Sequence, residues 1–119
     1  MVVNYRTGDA DDRPWGRWEV IATGDGYACK RITVIPGGKL SLQLHHHREE
    51  HWIVVQGKAL VTCGDAQREI GPNMHVFIPI ETPHRIENHG EQELVFIEVQ
   101  QGDQLDENDI VRLEDIYGR

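Results

Sequence analysis

Cysteine is scarce in this chain, and long apolar runs are missing from it. The two cysteines, Cys29 and Cys63, sit in apolar segments, and no CxxC pair occurs. That excludes the paired-thiolate zinc sites, and two lone thiols read as free cysteines rather than a disulfide. No apolar stretch approaches the roughly 20 residues a membrane span requires. The opening MVVNYRTGDADDRPWG has no basic head followed by an apolar stretch, so no secretory signal is read and a cytoplasmic protein is expected. Positive charge is also in deficit, with 12 Lys and Arg against 20 Asp and Glu and a net charge of −8. Nucleic-acid binding depends on a basic surface that neutralises phosphates, so it is not expected here. A small phosphorylated ligand needs only about two or three local cations and stays open.

At 119 residues the chain is one domain with room for a core. Residues 1–12 are polar and end in the acidic GDADD, which reads as a flexible lead-in to a domain over 13–119. From Trp18 onward, short apolar segments alternate with turn residues. WEVIAT, YACKRITVI, KLSLQLH, HWIVVQ, KALVTC, HVFIPI, HRIEN and LVFIEVQ read as strands between GDG, PGG, GD, GPN and HGE. Many short strands with regular turn signals predict an all-β sandwich or barrel. The tail DENDIVRLEDIYGR lacks a clear period and is open between a short helical turn and a closing strand.

In LSLQLHHH the period-2 geometry of a strand sends Leu40, Leu42 and Leu44 one way and Ser41, Gln43 and His45 the other. The leucines need a core or a subunit interface, and with the edges a small barrel leaves exposed they predict a homodimer. The polar stripe suits a metal inside a barrel. Gln43 and His45 reach one point, Glu50 returns across a short bend, and His84 at the start of HRIEN supplies a fourth donor. His47 is an alternative to Gln43 in a set of two histidines and one carboxylate. His46, His75 and His89 read as surface residues. Such a nitrogen and oxygen shell suits one divalent ion, zinc first, with cobalt, manganese, nickel or iron as alternatives.

These residues carry a resemblance. Gly37, Gln43, His45, Glu50 and Gly57 resemble the first cupin motif, with Gln43 where many cupins have histidine; Pro79, His84 and Asn88 resemble the second, with Glu81 where a glycine is usual. The fold this implies is a single-domain cupin, a jelly-roll barrel. RPWG, PGGKLSLQLHHHREEHWIVVQG, HRIENHG, IEVQQG and DENDIVRLEDIYGR further resemble type II mannose-6-phosphate isomerase, usually the C-terminal part of enzymes that also carry a mannose-1-phosphate guanylyltransferase. The resemblance implies a metal-dependent isomerase interconverting mannose 6-phosphate and fructose 6-phosphate through an enediolate. That chemistry needs a base to move a proton between C1 and C2, and His51, Glu98 and Lys30 are the candidates. It also needs cations for the phosphate, for which Arg13, Arg48, Arg85 and Arg119 lie in the family-like motifs. Two other readings remain: an Fe(II) dioxygenase, and a non-catalytic module that binds a sugar phosphate or a metal.

Overall fold

The computed structural model describes residues 1–119 and consists of strands and turns without a helix. The strands are β1 (Val2–Val3), β2 (Ala10–Arg13), β3 (Gly16–Gly24), β4 (Tyr27–Val34), β5 (Leu42–Leu44), β6 (Arg48–Gln56) and β7 (Ala59–Cys63). They continue with β8 (Ala66–Ile70), β9 (His75–Ile78), β10 (His84–Glu87), β11 (Leu94–Gly102), β12 (Gln104–Leu105) and β13 (Val111–Glu114). Two antiparallel sheets form the barrel, one ordered β2-β3-β4-β11-β6-β9 and the other β13-β5-β10-β7-β8. This is the jelly-roll barrel of the cupin type that the turn spacing and motifs predict. No helix is present that is long and apolar enough to cross a membrane.

Alternation places the core. In β4, Ala28, Lys30, Ile32 and Val34 are buried while Tyr27 and Arg31 are exposed; in β6, Arg48, Glu50, Trp52 and Val54 point inward; in β11, Leu94, Phe96, Glu98 and Gln100 do. Each strand therefore contributes an apolar half and a polar half to one interior. Register lines the halves up: Ile32 lies opposite Phe96 and Phe96 opposite Val54, while Lys30 lies opposite Glu98 and Gln100 opposite Glu50. Burying one aliphatic or aromatic side chain contributes about 1.5–3 kcal/mol, and 18 such residues form the core. That is enough to offset several kcal/mol for each ionised group held in the polar half.

Two motif positions gain a physical reason. Gly57 has φ +82°, and a Cβ there would stand 2.8 Å from the Glu93 carbonyl oxygen, so only glycine fits the turn from β6 to β7. Glu81, where the motif usually has glycine, occupies the left-handed region at φ +58°.

Two expectations need correction, and the choice left open for the tail resolves to a strand. The segment read as a flexible lead-in is built into the sheets: β1 pairs in parallel with β12, β2 pairs with β3, and Tyr5 is buried in the core. Leu40 does not share an outer face with Leu42 and Leu44. It precedes β5, where strand alternation does not hold, and turns into the core, leaving two half-buried leucines beside Val111. The tail contains a closing strand, β13, which pairs with β5.

Candidate metal centre

The polar halves of the strands meet in a cavity of about 70 Å³ lined by Gln43, His45, Arg48, Glu50, His84 and Glu98, among others. All three tryptophans of the chain, Trp15, Trp18 and Trp52, also border it. His45, Glu50 and His84 are buried, and their ligand atoms lie within 4.8 Å of one another. The His45 Nε2 is 3.2 Å from Glu50 Oε2, and the His84 Nε2 is 4.0 Å from Glu50 Oε1. Two metal–donor bonds of about 2.0–2.2 Å each are long enough to bridge such separations.

The hydrogen bonds fix what each donor offers. His45 Nδ1 lies 2.6 Å from the Asp109 carbonyl and His84 Nδ1 2.8 Å from the Thr82 carbonyl. A carbonyl only accepts, so each ring carries its proton on Nδ1 and turns a bare Nε2 towards Glu50. Burial lowers the His45 pKa to about 4, which keeps the ring in the neutral form a cation requires. Burial alone would raise the Glu50 pKa, but the Arg48 guanidinium beside it outweighs that and holds the carboxyl well below the usual range. Arg48 Nε donates to Glu50 at 2.8 Å and Trp52 Nε1 donates to its other oxygen at 2.9 Å. Gln43 lies directly across from His84 in the β5–β10 register, which puts its amide on the same face and in the same cavity. Two imidazole nitrogens with fixed tautomers, one ionised carboxylate and a neighbouring amide fit a divalent cation.

The proposed bases separate. Glu98 lines the cavity beside Glu50; burial and then the Glu50 charge push its pKa up to about 8, and Gln100 Nε2 donates to it at 2.9 Å. Lys30 also lines the cavity, with Nζ 2.7 Å from Glu107 and 3.2 Å from the Tyr5 hydroxyl. His51 does not face it. As the neighbour of Glu50 in one strand, it points to the outer face, where it is exposed and its ring centre lies 4.7 Å from that of Phe77.

The arginines separate too. Arg13 and Arg119 border the cavity, Arg13 half-buried and Arg119 exposed, and so stand at its mouth. Arg48 is inside, where its remaining nitrogens lie 3.1 Å from the Asp106 carbonyl and 3.3 Å from His45 Nε2. It braces the donors rather than offering a free fork. Arg85 is one residue from His84 and therefore on the opposite face, where it bonds the Leu40 carbonyl and Glu114. It clamps the tail and does not reach the cavity. His47 is exposed and near Asp103, apart from the donors. His46, His75 and His89 are exposed.

Sequence reasoning missed Arg112, which lines the cavity as the register partner of Gln43. It also missed two buried polar atoms of lining residues that have no protein partner, Ser41 Oγ and Trp18 Nε1. Ser41 shares the polar stripe of Gln43 and His45, which was the available signal.

Comparison with known proteins places these features in context. Residues 4–115 match the family described as mannose-6-phosphate isomerase C-terminal. Among curated relatives, the alginate biosynthesis protein AlgA of Pseudomonas aeruginosa is 52% identical over 107 residues, covering 90% of this chain and 22% of AlgA. The mannose-1-phosphate guanylyltransferase ManC of Salmonella typhimurium is 50% identical, again over 90% of this chain and 22% of the relative. The chain thus spans less than a quarter of the length of these relatives. Among solved structures, the capsular polysaccharide assembling protein CapF of Staphylococcus aureus superposes with a TM-score of 0.75 at 26% identity, covering 89% of this chain and 32% of CapF.

Proposed function

The chain belongs to the mannose-6-phosphate isomerase C-terminal family, and from that premise we propose that its cavity interconverts mannose 6-phosphate and fructose 6-phosphate with a divalent metal, zinc first, held by His45, Glu50, His84 and Gln43. The observation that carries the proposal is one cavity in which two bare imidazole nitrogens and a carboxylate converge beneath a mouth bordered by three arginines. When bound, a divalent ion supplies Lewis acidity towards the carbonyl oxygen of the sugar.

The chain's own residues divide the remaining work. Glu98, the carboxyl nearest the donors and not one of them, carries the proton between C2 and C1 of an enediolate. Its position in the cavity favours it over His51, which faces outward. Lys30 is engaged by Glu107 and Tyr5 and adds positive charge to the wall. Arg13, Arg112 and Arg119 meet the phosphate at the mouth. Ser41 and Trp18 line the cavity and carry polar atoms without a protein partner, which makes them the candidates to bond the sugar hydroxyls. Two histidines and a carboxylate are also the donor set of Fe(II) oxygenases, but three arginines at the mouth favour an anionic sugar over a neutral organic substrate.

A coupled assay that follows fructose 6-phosphate into mannose 6-phosphate tests the reading. Turnover that EDTA abolishes and zinc or cobalt restores is the expected result. A zinc-loaded protein that binds the sugar phosphate without converting it, or that consumes oxygen with Fe²⁺, would overturn it. Within the same assay Ser41→Ala should raise KM about 2–10-fold, the value of one hydrogen bond of roughly 0.5–1.5 kcal/mol, with kcat nearly unchanged.

A further inference from the structure

The two histidine donors are secured in different ways. The ring of His84 is held by the carbonyl of Thr82, two residues away in the same segment, whereas the ring of His45 is held by the carbonyl of Asp109, 64 residues away. Residues 105–110 leave the β12 end of the chain and cross to β13, which joins the five-stranded sheet beside β5. On the way they touch the cavity's groups from both sheets. The Asp106 carbonyl accepts from Arg48 at 3.1 Å, and the Glu107 carboxylate pairs with Lys30 at 2.7 Å. The Asp109 carboxylate accepts the main-chain N–H groups of both His46 and His47, each at 2.9 Å. Within the crossing, Asp106 Oδ1 accepts from the main-chain N–H groups of Asn108 and Asp109 at 2.8 and 3.0 Å, so the segment is braced before it meets the barrel.

Asp109 therefore grips one turn twice. Its carboxylate locks the backbone of the 45–47 turn, and its carbonyl fixes the tautomer and angle of the ring that the turn carries. Asp109 is itself buried, at 7% exposure, where an acceptor oxygen without a partner is costly. We propose that Asp109 is a positioning residue for the metal centre, so that cation affinity depends on the crossing segment 105–110 being seated across the barrel. This rests on the reading of His45, Glu50 and His84 as metal donors. The loss of a group that orients a metal-binding histidine typically lowers affinity 10–100-fold.

The test is calorimetric titration of the full chain with Zn²⁺ after EDTA treatment and dialysis, comparing wild type, Asp109→Ala, Asp109→Asn and Glu114→Gln. Glu114→Gln weakens the outer clamp to Arg85 and leaves the Asp109 contacts in place. Asp109→Ala keeps its main-chain carbonyl but loses the carboxylate that seats that carbonyl against the 45–47 turn, and should bind zinc about 10-fold more weakly, the lower end of that range. Asp109→Asn keeps one acceptor oxygen and should fall between, and Glu114→Gln should match wild type. Nitrogen-detected imidazole spectra should show His45 protonated on Nδ1 in wild type and as mixed tautomers in the folded Asp109 variants. Should Asp109→Ala fail to fold, Asp109→Asn carries the same comparison. A folded Asp109 variant with wild-type zinc affinity and an unchanged His45 tautomer overturns the proposal, as does an equal loss in Glu114→Gln. A wild type that takes up no divalent cation is a different result; it removes the metal centre and this proposal with it.

Discussion

His84→Ala should abolish tight zinc binding and with it isomerase turnover. Loss of an orienting group costs about 10–100-fold in affinity, and removing a donor should exceed that range, leaving turnover below about 1% of wild type. Of the three remaining donors, His45 and Glu50 are already close at 3.2 Å and Gln43 offers an amide, but no second imidazole nitrogen is left to converge on Glu50. The change also removes a buried ring packed against Trp52, at 5.5 Å between centres, and leaves a cavity worth about 2–4 kcal/mol of stability. Calorimetric titration and a thermal melt of the same sample separate the two effects. A folded variant with near wild-type zinc affinity would remove His84 from the donor set.

Arg48→Met should be among the most destabilising single changes in the cavity when EDTA is present. Arg48 is 6% exposed and Glu50 1% exposed, and they share a 2.8 Å hydrogen bond. Removing one partner of such a pair leaves the other charge buried and uncompensated, a cost of about 3–5 kcal/mol. For a domain of this size each kcal/mol lowers Tm by about 4 °C, so a fall of about 12–20 °C is expected. Zinc should restore part of that loss, because a cation replaces the missing charge beside Glu50. Adding Glu50→Gln to Arg48→Met should make the protein less destabilised than the sum of the two single changes, since the stranded charge is gone. A zinc-independent loss would mean that Arg48 supports packing alone.

Much of the barrel was legible because apolar alternation marks inward positions directly, as in YACKRITV and LVFIEVQ. The same period, applied strictly, also separates Glu50 from His51 and His84 from Arg85. Neighbours in a strand cannot share a face, so His51 and Arg85 both turn away from the cavity, His51 to the surface and Arg85 under the tail. Where pattern failed, the physical cause is plain. Ala10–Arg13 and Ala66–Ile70 are edge strands with most side chains in water, so no core face imposes alternation on them. The crossing over 105–110 has no period of its own; its conformation is set by partners such as Arg48 and His45, remote in sequence. Arg112 was hidden for a related reason, because only the pairing of β13 with β5 carries it to the cavity opposite Gln43.

The grouping of every tryptophan around one cavity has a practical consequence. Indole fluorescence from this chain has a single origin, with Trp52 tied by its ring nitrogen to Glu50 and Trp15 and Trp18 along the same wall. Emission colour and intensity then report cation loading and sugar entry without a label. Because no indole lies elsewhere to dilute the signal, a stopped-flow trace records events in this chamber and nowhere else.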